Sequence, residues 1–132
     1  VQDTCLSLIQ KGCVQSAHDV SDGGLAVCLA EMSLVSKNLG AEISLTTMSK
    51  SRLDSTLFGE AQSRIVIAVS PKHAEHVKSV ALENGVAAIG IGRVSGPMFS
   101  IEVDNQPIIL STPETMHHIY ETAIPNLMAR KK

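Results

Sequence analysis

The stretch Arg64 to Val69 (RIVIAV) runs through Ser70 into Pro71 to Gly85 (PKHAEHVKSVALENG), and its pattern decides the fold class. A near-continuous β-branched run is what a strand covered on both faces requires, so 64–69 is expected as a central strand. Pro71 suits the first turn of a helix, Ala74, Val77, Val80 and Ala81 recur on one stripe, and Gly85 is placed to stop it. Toward the N-terminus, Ala41 to Thr46 alternates with Ile43 and Leu45 facing one way, as a strand does, and Ser51 to Phe58 reads as a short helix. Toward the C-terminus, Val86 to Val94 is expected as the next strand and Gly96-Pro97 as a turn. Met98 to Val103 with Pro107 to Leu110 is expected as a hairpin around Asp104-Asn105. Strands and helices alternating over 41–94, with a hairpin appended, predict an α/β (α+β) fold: a mixed β-sheet flanked by helices.

The ends of the chain add helices. Cys5, Leu8 and Ile9 recur at helical spacing before Gly12, which suits a left-handed C-cap. A polar loop is expected over His18 to Gly24. Leu25, Cys28, Leu29, Met32 and Val35 then form one stripe of a helix that Asn38 to Gly40 would close. For the last helix, Ser111 and Glu114 stand at capping-box spacing and Pro113 suits the first turn. Met116, Ile119, Tyr120, Ala123 and Leu127 supply an apolar face, and Pro125 is expected to kink or end the helix.

Composition narrows the function classes. Hydrophobic residues make up 44% and charged residues 18%, too apolar for disorder, and 132 residues suit one core. Phe58, Phe99 and Tyr120 are the aromatic residues and the net charge is -2, so neither base stacking nor a basic footprint for nucleic acid is present. No apolar run reaches the roughly 18 to 20 residues that span a bilayer, so no membrane partner is expected. Cys5, Cys13 and Cys28 are an odd set without a C-x-x-C pair, which suits reduced thiols in a cytoplasm.

Two segments carry chemistry. Ser21-Asp22-Gly23-Gly24 precedes the strongest helix pattern, so Ser21 or Asp22 is placed to cap it. Its glycines would let a ligand approach unpaired backbone N–H groups, a setting that favours anions. Loops of this composition are more often only caps and turns. Asp19 and Asp22 repel a bare phosphate unless Mg²⁺ bridges them, so the choice is a metal-nucleotide site or a turn. His18-Asp19 reads as orienting the backbone more than as a general-base pair. His73 with His76, and His117-His118, lack a third ligand at recognisable spacing. The second segment, Leu57 to Arg64 (LFGEAQSR), places polar groups immediately before a buried strand. Ligands in α/β sheets gather at carboxyl ends of strands, whereas this loop enters from an amino end. The alternative is an ordinary connection in which Glu60 pairs with Arg64.

His18 to Met32 (HDVSDGGLAVCLAEM) resembles the signature of phosphoribosylformylglycinamidine synthases. Leu57 to Arg64 resembles the Gly-Glu-Ser-Gln-Ser-Arg common in that family, and the likeness covers essentially the whole chain. It implies the C-terminal α/β domain of the second half of such a synthase, similar to the C-terminal domain of aminoimidazole ribonucleotide synthases. The enzyme implied is an ATP-dependent carbon-nitrogen ligase of purine biosynthesis. ATP phosphorylates the amide oxygen of formylglycinamide ribonucleotide, and glutamine-derived ammonia displaces phosphate to give formylglycinamidine ribonucleotide. The resemblance implies Mg²⁺ and ATP or ADP in the intact enzyme, with no ligand required of the isolated domain. The implied partners are the remaining domains of the synthase, a glutaminase subunit and a small bridging subunit. Carried over by position, it makes Asp19 a metal ligand and Glu60 and Gln62 substrate-binding, while the helix-start reading makes Ser21, Asp22, Gly23 and Gly24 cofactor-binding. Ala61 stands where the family has Ser, which removes a hydroxyl. The family's catalytic His and main ATP contacts lie in other domains, so no catalytic residue is expected here. Residues 1–132 are expected to be a single domain cut from a longer chain, inactive alone. Two alternatives stay open: a non-catalytic structural or interaction domain, and a domain of another ATP-dependent synthetase of the superfamily.

Overall fold

The computed structural model describes residues 1–35, 39–47 and 52–129. In chain order the elements are α1 (Gln2–Gln10), β1 (Val14–Asp19), α2 (Gly24–Leu34), β2 (Ala41–Leu45), α3 (Leu53–Phe58), β3 (Ile65–Val69), a 3-10 turn (Pro71–His73), α4 (Ala74–Glu83), β4 (Gly92–Val94), β5 (Phe99–Val103), β6 (Gln106–Ser111) and α5 (Pro113–Ala129). The chain divides into two compact units, Val1–Leu29 with Lys50–Ile91, and Ala30–Ser49 with Gly92–Lys132. Mixed α/β architecture is as the alternation of patterns predicts.

In the first unit, α1 ends because Gly12 turns left-handed at φ 70°, which lets the Cys13 amide donate to the Leu8 carbonyl at 3.0 Å. Leu8 and Cys13 are thereby buried with Val77 and Val80 of α4, against Val14, Ile67 and Val69. Ile9, expected beside Leu8 in the core, is exposed. β1 and β3 form a two-stranded antiparallel sheet, with His18 opposite Val66 and Asp19 opposite Ile65. This corrects two expectations. His18 and Asp19 belong to a strand rather than to the polar loop, and among the described residues β3 pairs only with β1, half-buried along its length rather than central. The strand was hidden because Gln15, Ser16 and Ala17 are exposed and polar or small, so β1 carries little apolar alternation. The β-branched run of β3 reports strand propensity, and burial on both faces does not follow from it.

After β1 the chain turns through Gly23 (φ 79°) and Gly24 (φ 71°) into α2. A Cβ on Gly24 would lie 2.5 Å from the Phe58 carbonyl carbon and 2.7 Å from its Cα, so two backbones meet where no side chain fits. The predicted helix over 51–58 is observed as α3, with Ser51 outside the described residues; Asn38, expected to help close α2, also lies outside them.

The second unit holds a four-stranded sheet of order β4-β2-β5-β6. β2 and β5 run parallel in a register that puts Ala41 beside Phe99, Ile43 beside Ile101 and Leu45 beside Val103, all six buried. The matched alternation on both strands fixes this register, since a slip of one residue would turn every one of these side chains to the other face. β6 pairs antiparallel with β5 through the expected turn, where Asp104 (φ 51°) and Asn105 (φ 62°) are both left-handed. Asp104 also accepts from the Thr47 amide at 3.0 Å and from the Thr47 hydroxyl.

Three further expectations are corrected here. Of Val86–Val94 only Gly92–Val94 is a strand, because only those residues pair with β2; Ile89 is exposed, and a β pattern without a partner edge stays irregular. Ser111 ends β6, and the cap of α5 is Thr112, whose hydroxyl oxygen accepts from the Thr115 amide at 3.1 Å. α5 continues through Pro125 to Ala129, and of the expected apolar face Ile119, Tyr120 and Leu127 are exposed, as are Ile124 and Met128 beside it.

Two outcomes follow. Gly12→Ala meets open space and costs about 1–2 kcal/mol from its positive φ alone. Gly24→Ala adds a clash with the Phe58 backbone and costs roughly 1–3 kcal/mol more, so urea unfolding separates the two variants in that order. On the sheet face, Glu42 accepts from the Ser95 hydroxyl at 2.7 Å and from Arg93 Nη2 at 2.7 Å. The Ser95 hydrogen bond first, then Arg93, holds its carboxyl below the ordinary 4.5. A lowered folded value means the contribution is complete above pH 4.5 and is lost as pH falls through the folded value. The stability advantage of wild type over Glu42→Gln therefore shrinks on the acid side of that pH, as paired urea titrations across the acid range would read.

Candidate functional site

Antiparallel pairing explains why the two motif segments meet. It sets the carboxyl end of β1 beside the amino end of β3, so the loop leaving β1 (20–23) and the loop entering β3 (59–64) share one end of the sheet. The objection that the second loop enters from an amino end is thus answered by its neighbour, which leaves from a carboxyl end. The ladder extends beyond the strands: the Val20 amide donates to the Arg64 carbonyl at 2.9 Å, and the Gly23 amide donates to Glu60 Oε1 at 2.9 Å across 37 positions.

Asp19 closes β1 with its side chain largely exposed, its Oδ1 3.7 Å from His18 Nδ1. That same ring nitrogen lies 2.7 Å from the Asp19 carbonyl oxygen, so the His18-Asp19 pair orients backbone, as its adjacency suggests. Ser21 and Asp22 are exposed, Gly23 is half-buried and Gly24 is buried. Neither Ser21 nor Asp22 caps α2 through its side chain. The Gly24 amide donates to the Ser21 carbonyl at 3.1 Å, and the Glu60 carboxylate takes the Gly23 amide. The Gly23 and Gly24 amides themselves are therefore both engaged within the chain. Cys28, one turn into α2, lies with Sγ 3.9 Å from the His18 carbonyl oxygen.

On the other loop, Arg64 does not pair with Glu60. Its Nε donates to the Ala61 carbonyl at 3.2 Å and its Nη2 to the Gly59 carbonyl, which braces the loop from within. The Gly59 amide donates to the Ser55 carbonyl at 3.1 Å, tying the same loop to α3. Ser63 is left-handed at φ 62°, a conformation that costs a non-glycine residue of order 1–3 kcal/mol and is retained only where surrounding structure dictates it. Glu60, Ala61 and Gln62 are exposed on this loop. A shallow depression of about 470 Å³ beside it is lined by Arg52, Asp54, Ser55, Phe58 and Gly59. Its two charged side chains bond each other, Arg52 Nε to Asp54 Oδ1 at 3.0 Å and Nη2 to Oδ2 at 2.6 Å.

The sequence pattern therefore names the right segments and misses two contributors. Arg64 acts through its guanidinium as a backbone brace, and Phe58 through its main chain as the surface against Gly24. A glycine pair followed at long range by Glu and Arg is the only signal that could have pointed to them.

The first 104 residues match the family model of the AIR synthase related protein, C-terminal domain. The chain is 43% identical over 127 residues to the phosphoribosylformylglycinamidine synthase subunit PurL of Salinibacter ruber, covering 96% of this chain and 17% of that protein. With the same subunit of Moorella thermoacetica it is 40% identical over 130 residues, covering 98% of this chain and 17% of the relative. Of solved structures, PurLQS from Thermotoga maritima is similar at TM-score 0.78 and 19% identity, over 87% of this chain and 20% of that one. T. maritima PurL complexed with ATP is similar at TM-score 0.77 with the same identity and coverage. The same protein was also solved complexed with FGAR and with ADP. At that identity the structural likeness is one of fold, and the chain spans 17% of the length of these curated relatives. With most of its length matched by the family model and its two motifs joined at one sheet end, the chain belongs to the family of AIR synthase related proteins, as their C-terminal domain.

Proposed function

We propose that the chain serves as the C-terminal α/β domain of the second half of a phosphoribosylformylglycinamidine synthase, part of an ATP-dependent carbon-nitrogen ligase. In that reaction formylglycinamide ribonucleotide, ATP and glutamine-derived ammonia yield formylglycinamidine ribonucleotide. The observation that carries the reading is identity of 43% and 40% to PurL subunits across nearly the whole chain. The segment Asp19–Gly24, from the last residue of β1 to the first of α2, is the proposed nucleotide-facing element, with Asp19, Ser21 and Asp22 offering exposed oxygen donors and Gly23 and Gly24 shaping the backbone. Gln62, exposed on the neighbouring loop, is the proposed substrate contact, and Glu60 lies beside it. Mg²⁺ fits the donor chemistry of Asp19 and Asp22: it takes one or two carboxylates and fills its shell with phosphate oxygens and water. Among the described residues no three His, Cys, Asp or Glu side chains gather, so a metal here would be shared with a nucleotide. When bound, the ion would neutralise phosphate charge; the chain's part is to hold carboxylates on a loop of fixed backbone. Partners on this reading are the other domains of the synthase, a glutaminase subunit and a small bridging subunit, in a cytoplasmic complex.

A purely structural role is the second reading, and the exposed apolar residues of α5 favour it. The two separate in the intact synthase carrying this domain. Ammonia- and ATP-dependent amidation of formylglycinamide ribonucleotide is expected of that protein, and its absence overturns the ligase reading. Calorimetric titration with ADP and Mg²⁺ is expected to weaken about tenfold in Asp19→Asn. Full ligase activity with unchanged ADP stoichiometry and affinity in that variant would leave the domain a structural role only.

A further inference from the structure

We propose that Glu60 is a positioning residue, whose carboxylate sets the conformation of the loop between β1 and α2 instead of contacting substrate. The inference rests on the reading of that loop as nucleotide-facing and assigns Glu60 a different part in it. The Glu60 Oε1 atom accepts from the Gly23 amide at 2.9 Å, although 37 positions separate the two residues. A carboxylate accepting from a backbone amide at a helix start is a charge-assisted bond aligned with the helix dipole. Gly23 is left-handed there, and an added Cβ would lie 2.6 Å from Val27 Cγ2, so no side chain fits at this position. Glu60 is also held on its own side. Arg64 bonds the carbonyls of Gly59 and Ala61 on either side of it, and the Arg64 carbonyl in turn accepts the Val20 amide. The carboxylate therefore projects from a braced backbone onto the one loop amide between the exposed Asp22 and the buried Gly24. Gln62, two residues on, carries no such long-range bond and remains the group on this loop suited to substrate.

Two measurements test the proposal. With selective ¹⁵N-glycine labelling the chain gives nine glycine signals. The Gly23 amide proton is expected to move upfield in Glu60→Gln and further in Glu60→Ala, while the signals remote from the loop stay in place and report an intact fold. A Gly23 signal unmoved in both variants overturns the bond. In the intact synthase carrying this domain, ADP with Mg²⁺ is the probe. Binding at the site weakened by Asp19→Asn is expected to fall about tenfold in Glu60→Ala and less in Glu60→Gln, which keeps a neutral acceptor. If Gly23 moves but ADP affinity does not, Glu60 only stabilises the fold and the positioning role is overturned. A wild-type synthase with no ADP site sensitive to Asp19→Asn fails at the prior step, and the positioning role falls with the loop's assignment.

Discussion

Gly24 against the main chain of Phe58 is the contact from which the rest of the candidate site follows. Two backbones approach here within a distance that no side chain on residue 24 would permit, and the approach joins the start of α2 to the end of α3. The antiparallel register of β1 and β3 delivers the segments to each other, and the Val20–Arg64 and Gly23–Glu60 bonds carry the pairing past the last strand residues. Two motifs that are separate in sequence are therefore one physical object. A change in either alters the geometry of both, which is why Glu60 and Gly23 have to be considered together.

The second unit obeys a different constraint. Its parallel β2–β5 pair buries Ala41, Ile43, Leu45, Phe99, Ile101 and Val103 on one face in matched register, while Glu42, Arg93 and Ser95 form a polar cluster on the exposed side. Parallel pairing demands a long connection, and the chain supplies it by leaving β2 at residue 45 and returning at 99. All of the loop chemistry lies within residues of the first unit, so the sheet and the site are built from separate sets of interactions.

How much of this the sequence discloses depends on where each pattern gets its cause. Gly12, Gly85 and the Asp104-Asn105 turn are legible because positive φ is a local property of one or two residues. β2 and β5 are legible because one face is buried and the other exposed, which writes a period of two into the residues. β1 is not legible, since Gln15, Ser16 and Ala17 give no such period and the strand exists through its partner. Val86 to Ile91 fails in the opposite way, with strand-forming residues and no edge to pair with. The site divides along the same line. Its segments are marked by composition, but the bond between Glu60 and Gly23 is a tertiary fact, and local charge pairing pointed to Arg64 as the partner.

The engagement of the glycine amides changes the electrostatic character of the loop. A helix start with unpaired N–H groups attracts an anion directly. Here the Gly23 amide is met by a carboxylate of the chain itself and the Gly24 amide by a carbonyl, so these two donors are already engaged. Asp19, at the end of β1, and Asp22, on the loop that leaves it, remain exposed, and at about 4 Å two like charges repel by roughly 1 kcal/mol even in bulk water. On the proposed reading a free phosphate would meet repulsion from these carboxylates, whereas a phosphate carrying a divalent cation would find ligands in them. By holding Gly23, Glu60 in its proposed positioning role would act on the backbone of the loop that carries Asp22. It would also occupy one of the amide donors at the start of α2 that an anion could otherwise use.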